Sequence, residues 1–312
     1  MEQHSRPRRS CAAQTIAALA VLAFLAVLPA GVFALDITTC GTVVPKTEVG
    51  VLQADLDCGG LDGVVLRRRA TLDMNGHSIS NATSAVSCDN GGKGTRCKVT
   101  GPGSIDSSAF GVRTVGKTKL TISDVTVTGC EQGIYGESFR MTLIATNVEA
   151  SDNVQYGIRS GGARAKLTNV VANGNGQAGV YIFGGKAINV TANDNQWGFI
   201  TAKRRFRGTD ITTNDNTETG FRSFHSLRVA GLQSHGNGRG GLMHISGGTT
   251  SSKKPIRLAN ASVTGNLFMG TPADIISVRT PKVDDVTCEY SWGFLDDGQP
   301  DLLPPLGICS ND

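Results

Sequence analysis

The sequence of 312 residues is poor in aromatic side chains, which make up 5%, and has no large excess of either charge, with a formal net charge of +4. It offers one long hydrophobic run, Ile16 to Leu28. Glycine, by contrast, occurs 40 times. This composition is too apolar for a disordered chain and too rich in glycine for a helical bundle.

The first 34 residues have the order of a secretory signal peptide. Arginines, among them Arg8 and Arg9, precede the apolar run, and small residues up to Ala34 supply a cleavage site. A retained membrane anchor is the alternative, but the run is short for a span. We expect cleavage after Ala34, a secreted or periplasmic protein, and no membrane association after cleavage.

Cleavage there would leave 27 basic and 25 acidic residues. A nearly neutral protein is not a general binder of polyanions, so any basic role must be local. The run from Lys203 to Arg207 is either such a local site or a solvated corner. Nucleic acid is not an expected partner, because no binding motif is recognisable.

Seven cysteines follow Ala34, and an oxidising compartment favours disulfides between them. Proximity in the sequence predicts three bonds, Cys40–Cys58, Cys88–Cys97 and Cys288–Cys309. Cys130 is then left over, either as a reactive thiol or an intermolecular link. Its place in the repeat described next favours an inert structural role.

The middle of the chain repeats a unit of about 22 residues. One column of the repeat is mostly Asn, a second column five residues earlier is apolar, and a polar column precedes the apolar one. A glycine followed by an apolar residue comes shortly after the first column. The Asn column contains Asn153, Asn175, Asn195, Asn216, Asn237 and Asn266, and the apolar column Val125, Val148, Val170, Val190, Ile211, Leu232 and Ala261.

A unit of this length with two short alternating runs has no room for an ordinary helix. Each run is strand-like, and Asn or Gly at each corner tolerates a left-handed backbone. Stacked units would place equivalent side chains about 4.8 Å apart, with the apolar column inside and Asn bonded to Asn. The sequence therefore predicts an all-β solenoid of about ten coils.

The pattern from Thr71 to Val286 resembles the right-handed parallel β-helix proteins of the pectate-lyase-like superfamily. Leucine-rich and calcium-binding nonapeptide solenoids fit less well, because their signatures are missing. We predict a signal peptide over residues 1–34, an N-terminal cap over 35–70, the β-helix over 71–286 and a C-terminal cap over 287–312. We expect a monomer.

The residue two positions after each column glycine should point outward. Arg and Tyr alternate there, and could clamp carboxylates and stack on sugar rings, with Tyr156 and Trp197 beside them. The alternative is an ordinary solvated sheet face. The predicted substrate-binding residues are Arg113, Tyr135, Arg159, Tyr181 and Arg222.

Asp194 and Asp215 lie in successive Asn-Asp-Asn turns and would stack about 5 Å apart. Three interpretations stay open: a plain turn, a Ca²⁺ site, and a carboxylate pair of a glycosidase. The Ca²⁺ interpretation makes this pair the candidate metal ligands.

The resemblance implies an acidic polysaccharide as partner, and a lyase that acts by β-elimination is one implied activity. The glycosidase motifs of polygalacturonases are incomplete, because Asn216-Thr217-Glu218 and Ser234-His235-Gly236 have no Asp-Asp between them. If the protein is an enzyme, a polysaccharide lyase is therefore favoured over a hydrolase. No residue is assigned as catalytic. The competing function is a non-catalytic structural or surface interaction protein.

Overall fold

A computed structural model describes residues 34–88, 94–162, 164–245, 256–294 and 302–312, so the predicted signal peptide lies almost entirely outside the described residues. The regular structure of these residues is all β, as predicted. Two long parallel sheets, sheet A and sheet B, run along the molecule, and each coil contributes to both. The prediction of a parallel β-helix of about ten coils is confirmed.

Sheet A is the larger sheet, and successive coils occupy successive places in it. Its strands are β1 Leu35–Ile37, β3 Val49–Leu52, β4 Leu56–Asp57, β6 Thr71–Asp73, β7 Ser78–Ser80, β9 Thr95–Asp106, β11 Thr118–Thr128, β13 Thr142–Glu149, β15 Arg164–Val171, β17 Gly185–Thr191, β19 Phe206–Thr212, β21 Leu227–His235, β23 Arg257–Thr264 and β27 Lys282–Cys288.

Sheet B packs against it with shorter strands, and a two-stranded antiparallel hairpin lies outside both sheets. The strands of sheet B are β2 Thr42–Val44, β5 Val64–Leu66, β8 Ser84–Cys88, β10 Phe110–Thr114, β12 Gln132–Gly136, β14 Tyr156–Ser160, β16 Ala178–Ile182, β18 Trp197–Thr201, β20 Phe221–Ser223, β22 Leu242–His244, β26 Ile275–Ser277, β28 Ser291–Phe294 and β29 Leu302–Pro305. The hairpin is formed by β24 Leu267–Phe268 and β25 Thr271–Pro272.

The apolar column fills the space between the sheets. Val148, Val170 and Val190 pair in register on neighbouring strands, and all are buried. The first strand, β1, already pairs in parallel with β3, so coil stacking begins at Leu35, within the segment predicted as a cap.

The Asn column forms a buried ladder along the molecule. The Asn175 Nδ2 donates to Asn195 Oδ1 at 3.0 Å, and Asn195 Nδ2 donates to Asn216 Oδ1 at 3.2 Å. Each amide oxygen also accepts the backbone N–H of the Asn one coil earlier, as Asn195 Oδ1 does from Asn175 at 2.8 Å. The ladder ends on the carboxylate of Asp274, which accepts Asn266 Nδ2 at 3.0 Å.

The glycine that follows each ladder residue has a steric cause. A Cβ on Gly198 would lie 2.8 Å from the Nδ2 of Asn216 and 2.5 Å from the carbonyl oxygen of Gly220. Real Cβ atoms do not approach other atoms so closely. The pairing of Asn and Gly columns in the sequence therefore reflects one close contact, repeated in successive coils.

The second polar column lies at a corner inside sheet A. Asn147, Asn169 and Asn189 have φ angles of 52°, 53° and 52°, in the left-handed region that Asn and Gly tolerate best. The Nδ2 of Asn169 donates to Asn147 Oδ1 at 2.9 Å, so this exposed column is also hydrogen-bonded from coil to coil.

Two of the three predicted disulfides are formed, Cys40–Cys58 and Cys288–Cys309. The prediction of a Cys88–Cys97 bond is wrong for this structure, in which both are buried thiols. They hydrogen-bond to each other, and burial raises the pKa of Cys88 well above its ordinary value. Proximity in the sequence indicated contact correctly, but both side chains serve as core residues that face inward from different sheets.

Candidate functional site

The residues predicted to bind substrate lie in one file on the outer face of sheet B. Cα register joins Arg113 to Tyr135, Tyr135 to Arg159 and Arg159 to Tyr181, and the file continues through Ile200 to Arg222. The residues on either side of each file position in its strand are buried, so the file lies on the outer side of the sheet. Ile200 is nevertheless buried and separates Arg222 from the rest of the exposed file. The structure therefore brings together the whole predicted set.

Arg159 lies at the centre of a tyrosine cluster. Its guanidinium carbon is 5.3 Å from the ring centre of Tyr135, 4.9 Å from that of Tyr156 and 5.9 Å from that of Tyr181. Such contacts attract a cation to the electron-rich ring faces. No ion pair of the described residues involves Arg159. Its charge is held in place by aromatic rings rather than neutralised by a carboxylate.

Tyr181 connects this cluster to its neighbours. Burial raises the pKa of Tyr181. The positive charge of Arg159 lowers it, but by less than burial raises it. Its ring centre lies 6.2 Å from that of Tyr156, edge to face. The phenol therefore stays protonated at neutral pH and can donate a hydrogen bond.

Arg113 differs from Arg159 in having a carboxylate partner. Its Nη2 lies 2.9 Å from Glu137 Oε1, and its guanidinium carbon is 4.8 Å from the ring centre of Phe110. An anionic ligand would have to compete with Glu137 for this arginine. Arg113 is accordingly a weaker candidate for carboxylate binding than Arg159.

Arg222 lines a cavity of about 360 Å³ near the far end of the file. Burial lowers its pKa, and its Nε has no hydrogen-bond partner. The cavity is walled by Phe268 of the outer hairpin, which packs on Met243, and by Glu218, whose Oε2 lies 3.0 Å from the Nε of Arg239. The hairpin ends the open part of the file.

Sequence reasoning missed an aromatic and cationic extension of this face. Phe183 stacks on Phe139 with ring centres 5.6 Å apart, and the Lys203 Nζ lies 4.8 Å and 4.7 Å from these two rings. The ring of Phe183 also lies 6.1 Å from that of Tyr181. The signal was present for Phe183, which follows Tyr181 by two positions and so continues the outward alternation, but Phe139 belongs to no repeat column.

Asp194 and Asp215 are exposed turn residues with φ angles of 58° and 54°. The amide oxygens beside them are already used: Asn193 Oδ1 accepts the N–H of Asn214, and Asn216 Oδ1 accepts both the N–H and the Nδ2 of Asn195. Ca²⁺ requires six to eight oxygen ligands. Among the described residues no cluster of three or more His, Cys, Asp or Glu side chains could hold a metal ion. The assignment of the pair to a calcium site therefore stays a prediction.

Comparison with known proteins gives the handedness of the coil. Residues 58–197 match a family model described as a right-handed beta helix region. The chain has the fold of a right-handed parallel β-helix. No curated protein matches this β-helix chain.

Solved structures with a similar fold include the mannuronan C-5 epimerase AlgE6 A-module of Azotobacter vinelandii, at 11% identity and a TM-score of 0.57, covering 82% of this chain and 83% of that one. The AlgE4 A-module of the same organism gives 15% identity, a TM-score of 0.39 and coverage of 83% and 72%. Pectate lyase Pel9A gives 12% identity and a TM-score of 0.34, and the match covers 77% of this chain and 69% of that one. At these identities the likeness concerns the β-helix fold alone.

Proposed function

We propose that the outer face of sheet B binds an acidic polysaccharide, with Arg159 as the main carboxylate contact. The observation that carries this proposal is the caged guanidinium of Arg159, which has no carboxylate partner among the described residues. A guanidinium can hold a carboxylate through two parallel hydrogen bonds. The surrounding tyrosines offer flat apolar surfaces with hydroxyl groups at their edges, which suits sugar rings.

The length of the file suits a polymer rather than a single sugar. Arg113 and Arg222 are five coil steps apart, which is about 24 Å at the strand spacing. The AlgE6 A-module, whose name gives mannuronan as its substrate, supports an acidic polymer as the ligand class. The two formed disulfides support a location outside the cytoplasm, as the signal-like N-terminus predicts.

We place binding ahead of catalysis in this proposal. β-Elimination needs a group that removes a proton from the sugar. The titratable side chains in contact with Arg159 are three tyrosines, Tyr135, Tyr156 and Tyr181. The raised pKa of Tyr181 makes it a donor rather than an acceptor at neutral pH. Lyase activity is therefore a separate measurement from binding.

The test is calorimetric titration of the protein with defined oligomers of mannuronate, guluronate and galacturonate, and with a neutral oligosaccharide. We expect Arg159→Ala to weaken binding to an acidic oligomer by about tenfold or more, because it removes a charge-assisted contact. Arg279→Ala, at an exposed arginine in the turn after β26 and outside the file, is the matched control.

Absorbance of unsaturated products, with and without Ca²⁺, reports turnover in the same samples. Binding without turnover identifies a non-catalytic carbohydrate-binding protein. Equal affinities of the Arg159→Ala variant and the unchanged protein for every acidic oligomer would contradict the proposal, and would favour the structural alternative.

A further inference from the structure

A file of six positive side chains runs along the outer face of sheet A, whereas the tyrosine cluster lies on sheet B. Cα register joins each member to the next, from one strand to the neighbouring strand of the following coil. This basic ladder consists of Lys166, Lys186, Arg207, Arg228, Arg257 and Lys282.

The six side chains are exposed and stand about 4.8 Å apart at the strand spacing, so that the basic ladder is about 24 Å long. None of the ion pairs within the described residues includes a ladder member. The pKa of Arg228 lies below its ordinary value, chiefly because of the adjacent charge of Arg257, with smaller contributions from desolvation, Arg205 and Arg207. The ladder therefore repels itself.

The basic surface continues toward the N-terminal coils. A cavity of about 330 Å³ on sheet A is lined by six basic side chains and by no acidic one. These are Arg68, Arg69, Arg96, Lys117, Lys119 and Arg140. Register places Arg164 and Lys166 on the strand that follows, one coil beyond Thr142 of the same lining, so cavity and ladder lie on one sheet.

We propose that the basic ladder is a second binding site, which takes a linear anionic polysaccharide along the axis of the β-helix. A regular row of single cations matches a chain that carries a negative group on each monomer, because both present charge at a constant interval along a line. Among the residues that line the pocket at the C-terminal end of the ladder, the one acidic side chain is Asp284. Binding relieves the repulsion between ladder members by supplying further counter-charges.

Two other classes of polyanion fit this surface less well. Single-stranded nucleic acid is held by aromatic side chains on which bases stack. The outward column beside the basic ladder has none, since it contains Thr168, Ile188, Thr209, Ala230, Ala259 and Asp284. A membrane-binding face needs Trp, Phe or Leu side chains that enter the lipid, and this column offers none of them either.

The test compares two double variants with the same change of charge. Lys186→Gln with Arg228→Gln removes two non-adjacent ladder cations, and Lys46→Gln with Arg279→Gln removes one lysine and one arginine that are exposed elsewhere. The probes are a sulfated heparin oligosaccharide, a mannuronate oligomer, single-stranded DNA of similar charge and vesicles of anionic phospholipid. Every protein in this test, including the parent, also carries Arg159→Ala. Binding at the tyrosine cluster therefore does not contribute to the differences between them.

We expect the ladder variant to bind an acidic oligosaccharide about tenfold more weakly than its parent at low ionic strength, and the control variant to bind equally well. The slope of log K against the logarithm of salt concentration should become smaller in magnitude by about 1.5, because two contacts are lost. Lys186→Arg with Arg228→Lys keeps both charges and should bind as the parent does.

Three results would overturn the proposal. Equal losses in the ladder and control variants would show attraction by net charge alone. Binding of DNA or vesicles without binding of either oligosaccharide would assign the basic ladder to another partner class. No measurable binding of any probe to the folded parent would leave the ladder without a polyanionic ligand.

Discussion

Two ladders of stacked identical or similar side chains run through this β-helix, and stacking has opposite consequences in them. In the buried Asn ladder each amide donates to the next and accepts from the one before, as Asn195 does between Asn175 and Asn216. In the basic ladder, Arg228 lies between two more cations, and its pKa is lowered as a result. Amides are complementary to their own copies, whereas cations are not.

The difference separates residues that build the fold from residues that the fold only carries. A parallel β-helix places like side chains on like in every column. Where stacked side chains attract one another, the stability of the fold is a sufficient reason for the column. A column that loses from it, and still recurs over six coils, requires a reason outside the fold, which is the basis for assigning it a ligand.

Breaking the Asn ladder should produce the largest effect on stability. Asn195→Ala removes the oxygen that accepts both the N–H and the Nδ2 of Asn175. It leaves the buried N–H unpaired and the Nδ2 with one acceptor, the carbonyl oxygen of Asn173. We expect the free energy of unfolding to fall by about 3 kcal/mol. Urea denaturation measures it, with Gln196→Ala as the neighbouring control that should change it by less than about 0.5 kcal/mol. A small loss for Asn195→Ala would show that the ladder is not a main source of stability.

The end of the Asn ladder should be the next most sensitive position. The buried carboxylate of Asp274 accepts the N–H and Nδ2 of Asn266 on one oxygen and the N–H groups of Glu289 and Tyr290 on the other. Asp274→Asn turns one acceptor into a donor that faces N–H groups. The free energy of unfolding should therefore fall by about 2 kcal/mol. Urea denaturation again gives the value.

The control for this end position is the exposed Asp284, whose replacement by Asn should leave stability nearly unchanged. If Asp274→Asn is as harmless as Asp284→Asn, the carboxylate does not terminate the ladder in the way the hydrogen bonds indicate.

The basic ladder should respond in the opposite direction. Lys186→Gln with Arg228→Gln removes repulsion between stacked cations, so Tm should rise by about 2 °C at low ionic strength. The gain should vanish in 1 M salt, where charges are screened beyond about 3 Å. Differential scanning calorimetry at both salt concentrations measures the shift, and Lys46→Gln with Arg279→Gln should show none. A fall in Tm at low salt would mean that these side chains stabilise the fold.

The sequence alone predicted the Asn ladder but not the basic ladder, although both recur with the same period. Asn153 and its equivalents were found because identical letters recur, whereas the basic ladder mixes Lys and Arg. Its members nevertheless stand three residues before each corner residue, as Lys166 does before Asn169 and Lys186 before Asn189. Column alignment could therefore have found them, while a search for contiguous charges could not.

The site on sheet B was predictable in its register but not in its contacts. Alternation places Arg159 and Tyr181 on one face, because side-chain direction follows from the strand period. The stacking of Phe139 on Phe183 depends on the path of a turn after β12, which no repeat column specifies. The pairing of Arg113 with Glu137 likewise depends on side-chain conformations that the repeat does not encode.

Cys130 occupies the Asn column where the amide ladder begins, and its thiol predicts a change in stability that is confined to alkaline pH. Burial is the main cause that raises the pKa of its thiol to about 11, against an ordinary value of 9.0. Below about pH 9 both the folded and the unfolded thiol are protonated, so this contribution is complete there. It is lost as pH rises toward 11, because the unfolded thiol ionises first.

The measurement is the free energy of unfolding from pH 8 to pH 11 for the protein and for Cys130→Ala. We expect a steeper decline in the unchanged protein above pH 9, by up to about 2.7 kcal/mol for a pKa raised from 9.0 to about 11, whereas a constant offset between the two curves would reflect packing alone. Alkylation at pH 8 gives a second reading, since the buried thiol should react far more slowly than an unfolded one. Rapid alkylation of the native protein at Cys130 would contradict its structural role and reopen the assignment of a reactive thiol at the head of the Asn ladder.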